Sequence, residues 1–274
     1  MSAKRSEISI SFDNSFYNAT SEDNDQELLS QQTQKYLASK KDIYNAVLDY
    51  LESSEWSDEY FDNLIKIIDA QHLEKVQEEY EHFLYMIEHI SNNHHRDETF
   101  IKKVFQIMQH YKPQIKQTLS NTQIFKIFQN NKKILLFLIE NEIIKLDENI
   151  ADSINNQYDK NGNRYRDFFY PELKPFLDQS KIKAIESYLL SENENIFDNF
   201  DENRHIGENN SYICTLIRQD SAKDFISHVN RTNIDLKSEI VPSIFETNRF
   251  LNEKNPTLIE YAAFFGSIQI FRYL

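Results

Sequence analysis

Glycine and proline are scarce, with 3 and 5 occurrences among 274 residues. Tight turns and β-hairpins draw on Gly, Asn-Gly and Pro, so this vocabulary disfavours a β-rich fold and favours helices joined by polar Asn, Asp and Ser loops. Cysteine occurs once, at Cys214. A single thiol excludes an intrachain disulfide and a cysteine-based zinc site, and it points to an intracellular, cytoplasmic setting. No stretch approaches the roughly 18 uninterrupted apolar residues of a membrane span, and residues 1–16 hold no apolar core followed by a small-residue cleavage site. Neither membrane insertion nor secretion is expected, and the glycosylation triplets at Asn18 and Asn230 are read as chance matches. Positive charge is also short: 30 basic against 44 acidic residues give a formal net charge of −14. That balance opposes approach to a phosphate backbone and offers no counterion release, so nucleic acid is not an expected partner.

The signatures of catalysis are missing as well. There is no G-x-S-x-G, no phosphate-cradling glycine loop and no dinucleotide fingerprint. His82, His89, His94 and His95 lack the i, i+4 or His/carboxylate spacing of a metal site. The loop at 159–163 resembles a calcium loop, but its Gly162 is fourth rather than sixth and Tyr170 stands at the position of the bidentate Glu. Cys214 lies in an apolar stretch of helical period with no cation within three residues, where a thiol behaves as a small hydrophobe. The chain is read as non-enzymatic, with no cofactor and no metal.

What is present is apolar periodicity of three and four residues. Residues 1–34 are rich in Ser, Asn, Asp and Gln and are read as a flexible polar tail. From there Tyr36, Leu37, Ile43, Tyr44, Val47, Leu48 and Leu51 trace one buried helical face. Ser57 caps a second helix through Ile68, and a third spans about 73–90. A helix over 100–111 is limited by Pro113, and short helices follow at 115–119, 122–128, 132–141, 148–154 and 181–190. The aromatic run Tyr165, Phe168, Phe169, Tyr170 and Phe176, broken by Pro171 and Pro175, is read as the packing of an irregular crossover rather than a peptide groove.

These elements predict an all-α fold of stacked short antiparallel helices, solenoid-like. Internal similarity agrees: Asn131–Leu138 resembles Ser267–Leu274, with weaker copies at 180–189 and 221–229. The clearest motif is Pro256-Thr257-Leu258-Ile259-Glu260-Tyr261-Ala262-Ala263-Phe264-Phe265-Gly266. Thr257 and Glu260 are spaced as a capping box, Ala262 and Ala263 are small enough for helices to approach, and Gly266 suits a left-handed helix end. A second helix would bury Ile270, Phe271 and Leu274. This segment resembles the ankyrin repeat, T-P-L-H-x-A-A followed by x-x-G. It departs from it in the reversed Pro256-Thr257 pair and in Ile259 at the histidine position.

With Ser91 to Arg96, Ser120-Asn121, Asn131 to Leu138 and Ser243 to Asn248, residues 36–274 are similar to ankyrin-repeat proteins of flagellated protists that carry a helical region of unknown function ahead of the repeats. The resemblance implies a helical domain over 35–205, a degenerate to partial ankyrin region over 206–274, and a role as an adaptor or scaffold for an unknown protein partner. The alternative is a self-assembly or dimerisation domain. An array that stops at Leu274 is expected to leave an exposed apolar end face.

Overall fold

The computed structural model describes residues 21–54, 56–93, 98–158 and 165–274, and among these the chain is helical with no strand. The histidine pair at 94–95 and the loop at 159–163 fall outside the described residues. Among the described residues, those within 21–50 and 56–71 form one compact unit, and those within 51–54 and 72–274 form a second. The boundary expected near 205 thus lies inside the second unit.

The first unit contains α1 (Ser21–Glu52), apart from its last two residues, and α2 (Asp58–Asp69). The helix α1 begins well inside the segment read as a polar tail. Ile43, Val47 and Tyr50 on α1 are buried, following the three- and four-residue spacing, but Tyr36, Leu37 and Tyr44, expected on the same face, are exposed. In α2 the Ser57 hydroxyl accepts the Tyr60 amide at 3.3 Å, and Asp58 and Glu59 sit in the first turn, where carboxylates oppose the helix dipole. The Tyr50 ring meets Phe61 at 5.7 Å. Burial, with Asp58 as the lesser cause, pushes the Tyr50 hydroxyl up to about 12.

In the second unit a 3₁₀ turn at Leu73–Lys75 leads into α3 (Gln77–Asn93). Next come α4 (Glu98–His110), α5 (Lys112–Thr118), α6 (Asn121–Phe128) and α7 (Lys132–Glu140). Pro113 stands in the first turn of α5, where its missing amide donor costs nothing. Helices α3 and α6 pack together, with Gln123 donating to Glu81 at 2.7 Å, and the fully buried Asn131, at the start of α7, donates to Asn92 of α3 at 2.8 Å. Phe105 of α4 stacks on Phe137 of α7 at 4.1 Å. Lys103 is fully buried because its ammonium donates to the Ser53 carbonyl at 2.6 Å.

Helix α8 (Glu148–Asn155) is capped by Asp147. The aromatic run forms two single turns, α9 (Tyr165–Phe168) and α10 (Tyr170–Leu173), then a 3₁₀ turn at Lys174–Phe176. Tyr165, Phe168, Phe169 and Tyr170 are core, and the ammonium of the buried Lys132 sits 5.0 Å from the Tyr165 ring centre. Helix α11 (Gln179–Glu192) takes its cap from Asp178, two residues before the copy expected to open at Ser180. In α12 (Phe200–Ile206) the buried Arg204 donates to Glu172 at 2.6 Å and to Asp201 at 2.7 Å, which fastens α12 to α10. The chain ends in α13 (Tyr212–Arg218), α14 (Ala222–Thr232), α15 (Arg249–Lys254), α16 (Leu258–Phe264) and α17 (Ile268–Tyr273). The helical structure of this unit is repeat-like. No described helix is long and apolar enough to cross a membrane.

Scarcity of glycine shows in the turns. Among the described residues the left-handed region is occupied by Gly207 and Gly266, and also by His72, Glu142, Asn199, Asp220, Asn233 and Asn255. Asn and Asp are the side chains that bear this conformation at least cost. Asn131 both caps α7, accepting the Ile134 amide at 3.0 Å, and reaches α3. Asn131→Ala strands a buried amide and a half-buried acceptor, so urea unfolding should show a loss of about 2 kcal/mol with an unchanged denaturant slope.

Candidate functional site

The segment with the ankyrin-like motif is two helical pairs, α13–α14 and α16–α17, laid one on the other. The first helices pack together and so do the second helices. Each pair turns in the same way. In the first, the Gln219, Asp220 and Ser221 amides donate to the carbonyls of Thr215 at 3.1 Å, Ile217 at 2.9 Å and Leu216 at 3.0 Å. In the second, Phe265, Gly266 and Ser267 donate to Tyr261 at 3.1 Å, Ala263 at 3.2 Å and Ala262 at 2.9 Å. Asp220 and Gly266 have φ of 48° and 67°. The two turns superpose by a shift of 46 positions, from 220 to 266.

The motif residues divide by face. Thr257 and Glu260 form the reciprocal capping box: the Glu260 amide donates to the Thr257 hydroxyl at 3.4 Å, and the Thr257 amide donates to the Glu260 carboxylate at 2.8 Å. The Thr257 amide first, and the Thr257 hydroxyl, which also donates to the carboxylate at 2.8 Å, hold the Glu260 carboxyl below its ordinary value. Leu258 and Ala262 are buried in one apolar cluster with Cys214, Ile217, Phe225, Val229, Tyr261 and Ile270, and Leu274 packs against it half-buried. Ala263 and Gly266 are exposed. Burial pushes the Cys214 thiol up, so at neutral pH it stays protonated in that cluster.

Residues outside the motif join the pairs. The Asp220 carboxylate accepts the amides of Gln269 and Ile270, both at 3.0 Å, so the turn of one pair caps the second helix of the next. The buried Ser267 hydroxyl donates to the Ile217 carbonyl. Arg218 donates to the Asn209 carbonyl at 2.6 Å and to the Tyr261 hydroxyl at 2.9 Å, and pairs with Glu208 at 2.6 Å. The loop between the pairs is held by a buried carboxylate. Glu246 accepts the amides of Asn209 at 3.2 Å and Asn248 at 2.7 Å, while its carbonyl takes the Asn252 side-chain amide at 2.9 Å. Beside it Thr247 bonds the Gly207 carbonyl through both its amide, at 3.0 Å, and its hydroxyl, at 2.8 Å.

A groove belongs to the first unit alone. Open and about 640 Å³ in volume, it runs between α1 and α2, with Ala46 and Ala70 among its lining, Tyr60 and Ile67 exposed on it, and Asp42 and Asp49 outnumbering the single cation Lys66.

Asp220→Ala should cost about 1–2 kcal/mol by removing a two-amide cap, whereas Asp220→Asn retains an acceptor and loses less. Gly266→Ala should cost about 1 kcal/mol from backbone conformation alone, since its Cβ would meet nothing within 4 Å. Gly207→Ala costs more, because the added Cβ would lie 2.9 Å from the Thr247 hydroxyl oxygen. Chemical denaturation of the four variants ranks them. Glu260 has its pKa lowered by folding, so it stabilises the fold above about pH 4.5 and that contribution is lost as pH falls through the folded-state value. Glu260→Gln can still close the capping box, so thermal melts of the variant should lose less than the parent between pH 6 and pH 3, roughly the range spanning a carboxylate titration.

No protein-family model matches the chain, and no curated protein and no solved structure matches it.

Proposed function

We propose that this chain is a non-catalytic protein–protein interaction module, an intracellular adaptor or scaffold of ankyrin type whose helical stack presents surfaces to another protein. The observation that carries the reading is the repetition at 46 positions of one helix–turn–helix unit, with the same three turn hydrogen bonds and helix-on-helix stacking, in the segment that resembles an ankyrin repeat. A stack of this kind has no need of a reaction centre. Its side chains on each pair are committed either to neighbouring pairs or to solvent, and the solvent-facing ones are free to meet a partner. The groove between α1 and α2 offers such a surface, apolar at Tyr60 and Ile67 with Asp42 and Asp49 beside them, and it suits a ligand that brings a basic, amphipathic segment.

Affinity capture of the tagged full chain from a lysate of its source tests the reading, with Tyr60→Asp/Ile67→Asp as the comparison. At least one protein other than the chain itself should be enriched by the parent and lost from the variant, with helical circular dichroism unchanged. Enrichment of none sinks the adaptor reading.

A further inference from the structure

The two walls of the groove in the first unit differ in chemistry. On α1 the lining includes Asp42, Asn45, Ala46 and Asp49, whose spacings of three, four and seven residues set them on one face of the helix. An acid stands at either end of that stripe, and the small Ala46 between them lets another backbone come close. On α2 the same spacings set Tyr60, Asn63, Ile67 and Ala70 on one face. That wall is apolar, with Tyr60 exposed by 46 % and Ile67 by 40 %. Helix α2 also has a buried stripe at Leu64, Ile65 and Ile68, so it carries apolar side chains toward the core and toward the groove. At 1.5 Å per residue the stripes run for roughly 10 Å on α1 and roughly 15 Å on α2.

Two helices whose facing stripes repeat at three and four residues leave a channel that fits the ridges of a third helix. About three turns of helix span it. The walls then dictate the side chains of that helix. Apolar residues at i, i+3, i+4 and i+7 cover Tyr60, Ile67 and Ala46. Asp42 and Asp49 stand seven residues apart on one face of α1, so two cations with the same spacing, on the flank beside α1, meet both carboxylates. Lys66, the one cation among the described lining residues, lies on the opposite wall, so the other flank favours neutral or acidic side chains. A second copy of this unit is a poor occupant, because residues 21–50 and 56–71 carry ten acids against four bases. We propose that the groove binds an amphipathic α-helix of a partner protein, whose two lysines or arginines, seven residues apart, pair with Asp42 and Asp49. This names the occupant of a surface that the interaction-module reading offers, and it rests on that reading.

Fluorescence anisotropy of two labelled peptides, each titrated with the full chain, reads the outcome. Both are built of Leu, Ala and Gln, held helical by a lactam bridge on the outer face, with the Leu side chains in one stripe. One carries two Lys seven residues apart on a flank of the stripe, and its sister carries Glu in both places. The Lys peptide should bind at least about tenfold more tightly than the Glu peptide. Asp42→Lys/Asp49→Lys should reverse that order, and Asp42→Asn/Asp49→Asn should bring the two peptides to within about threefold of each other. Asp42 and Asp49 are exposed, so circular dichroism of both variants should equal the parent's. Ile67→Gln should weaken the Lys peptide by about tenfold, since it removes apolar area from the opposite wall. Binding of neither peptide overturns the proposal, as does equal binding of the two by the parent or a Lys preference that survives both double substitutions. None of these results touches the adaptor reading, which falls only if the full chain captures no other protein.

Discussion

A helix of six or seven residues has more amides and carbonyls at its ends than in its middle, and in water it does not persist. Helices α13, α16 and α17 are of that length, so the end groups govern the architecture of residues 206–274. The chain answers with short polar side chains at helix starts: Ser57, Ser120, Asn131, Asp147, Asp178, Asn248 and Thr257 each accept an amide of the helix that follows. Where a cap belongs to the same helix it fixes only where that helix begins. Where it comes from elsewhere, as Asp220 does for α17, it also fixes which helix lies beside which.

The buried polar groups extend this logic to the loops. Residues 233–248 have little regular structure, yet Glu246, Thr247 and Asn248 are buried, because their oxygens and amides are matched to Gly207, Asn209 and one another. A carboxylate removed from water is costly unless such donors surround it, and their geometry then permits little displacement. The loop between the two pairs is thereby tied to Gly207 and Asn209 ahead of α13. Gly207 is part of the same arrangement, since its left-handed backbone and the close Thr247 hydroxyl leave no room for a side chain.

The helices were legible because their information is local. The spacing of Leu64, Ile65 and Ile68 after the Ser57 cap, or the Thr257–Glu260 box before Tyr261 and Ala262, can be read within a dozen residues. The aromatic run at 165–176 was legible as packing but not as helix: single turns are too short for periodicity to emerge, and the prolines suggest breaks where they in fact sit in first turns. Tyr36, Leu37 and Tyr44 followed a helical stripe yet are exposed, since period reveals a face and not what covers it. In the candidate site the motif from Thr257 to Gly266 was visible and its partners were not. Asp220, Arg218 and Glu246 act on groups tens of residues away, and an Asp-Ser or Glu-Thr dipeptide looks the same whether its carboxylate meets water or the amides of a distant segment.

The Asp220 cap makes two particular amide protons informative. Gln269 and Ile270 donate to a carboxylate on the neighbouring pair rather than to a carbonyl of their own helix. Unwinding of α17 from its far end would leave those bonds intact, while a hinge opening between the two pairs would break both at once. Their exchange with solvent deuterium therefore measures how often the stack parts, separately from how often its helices fray.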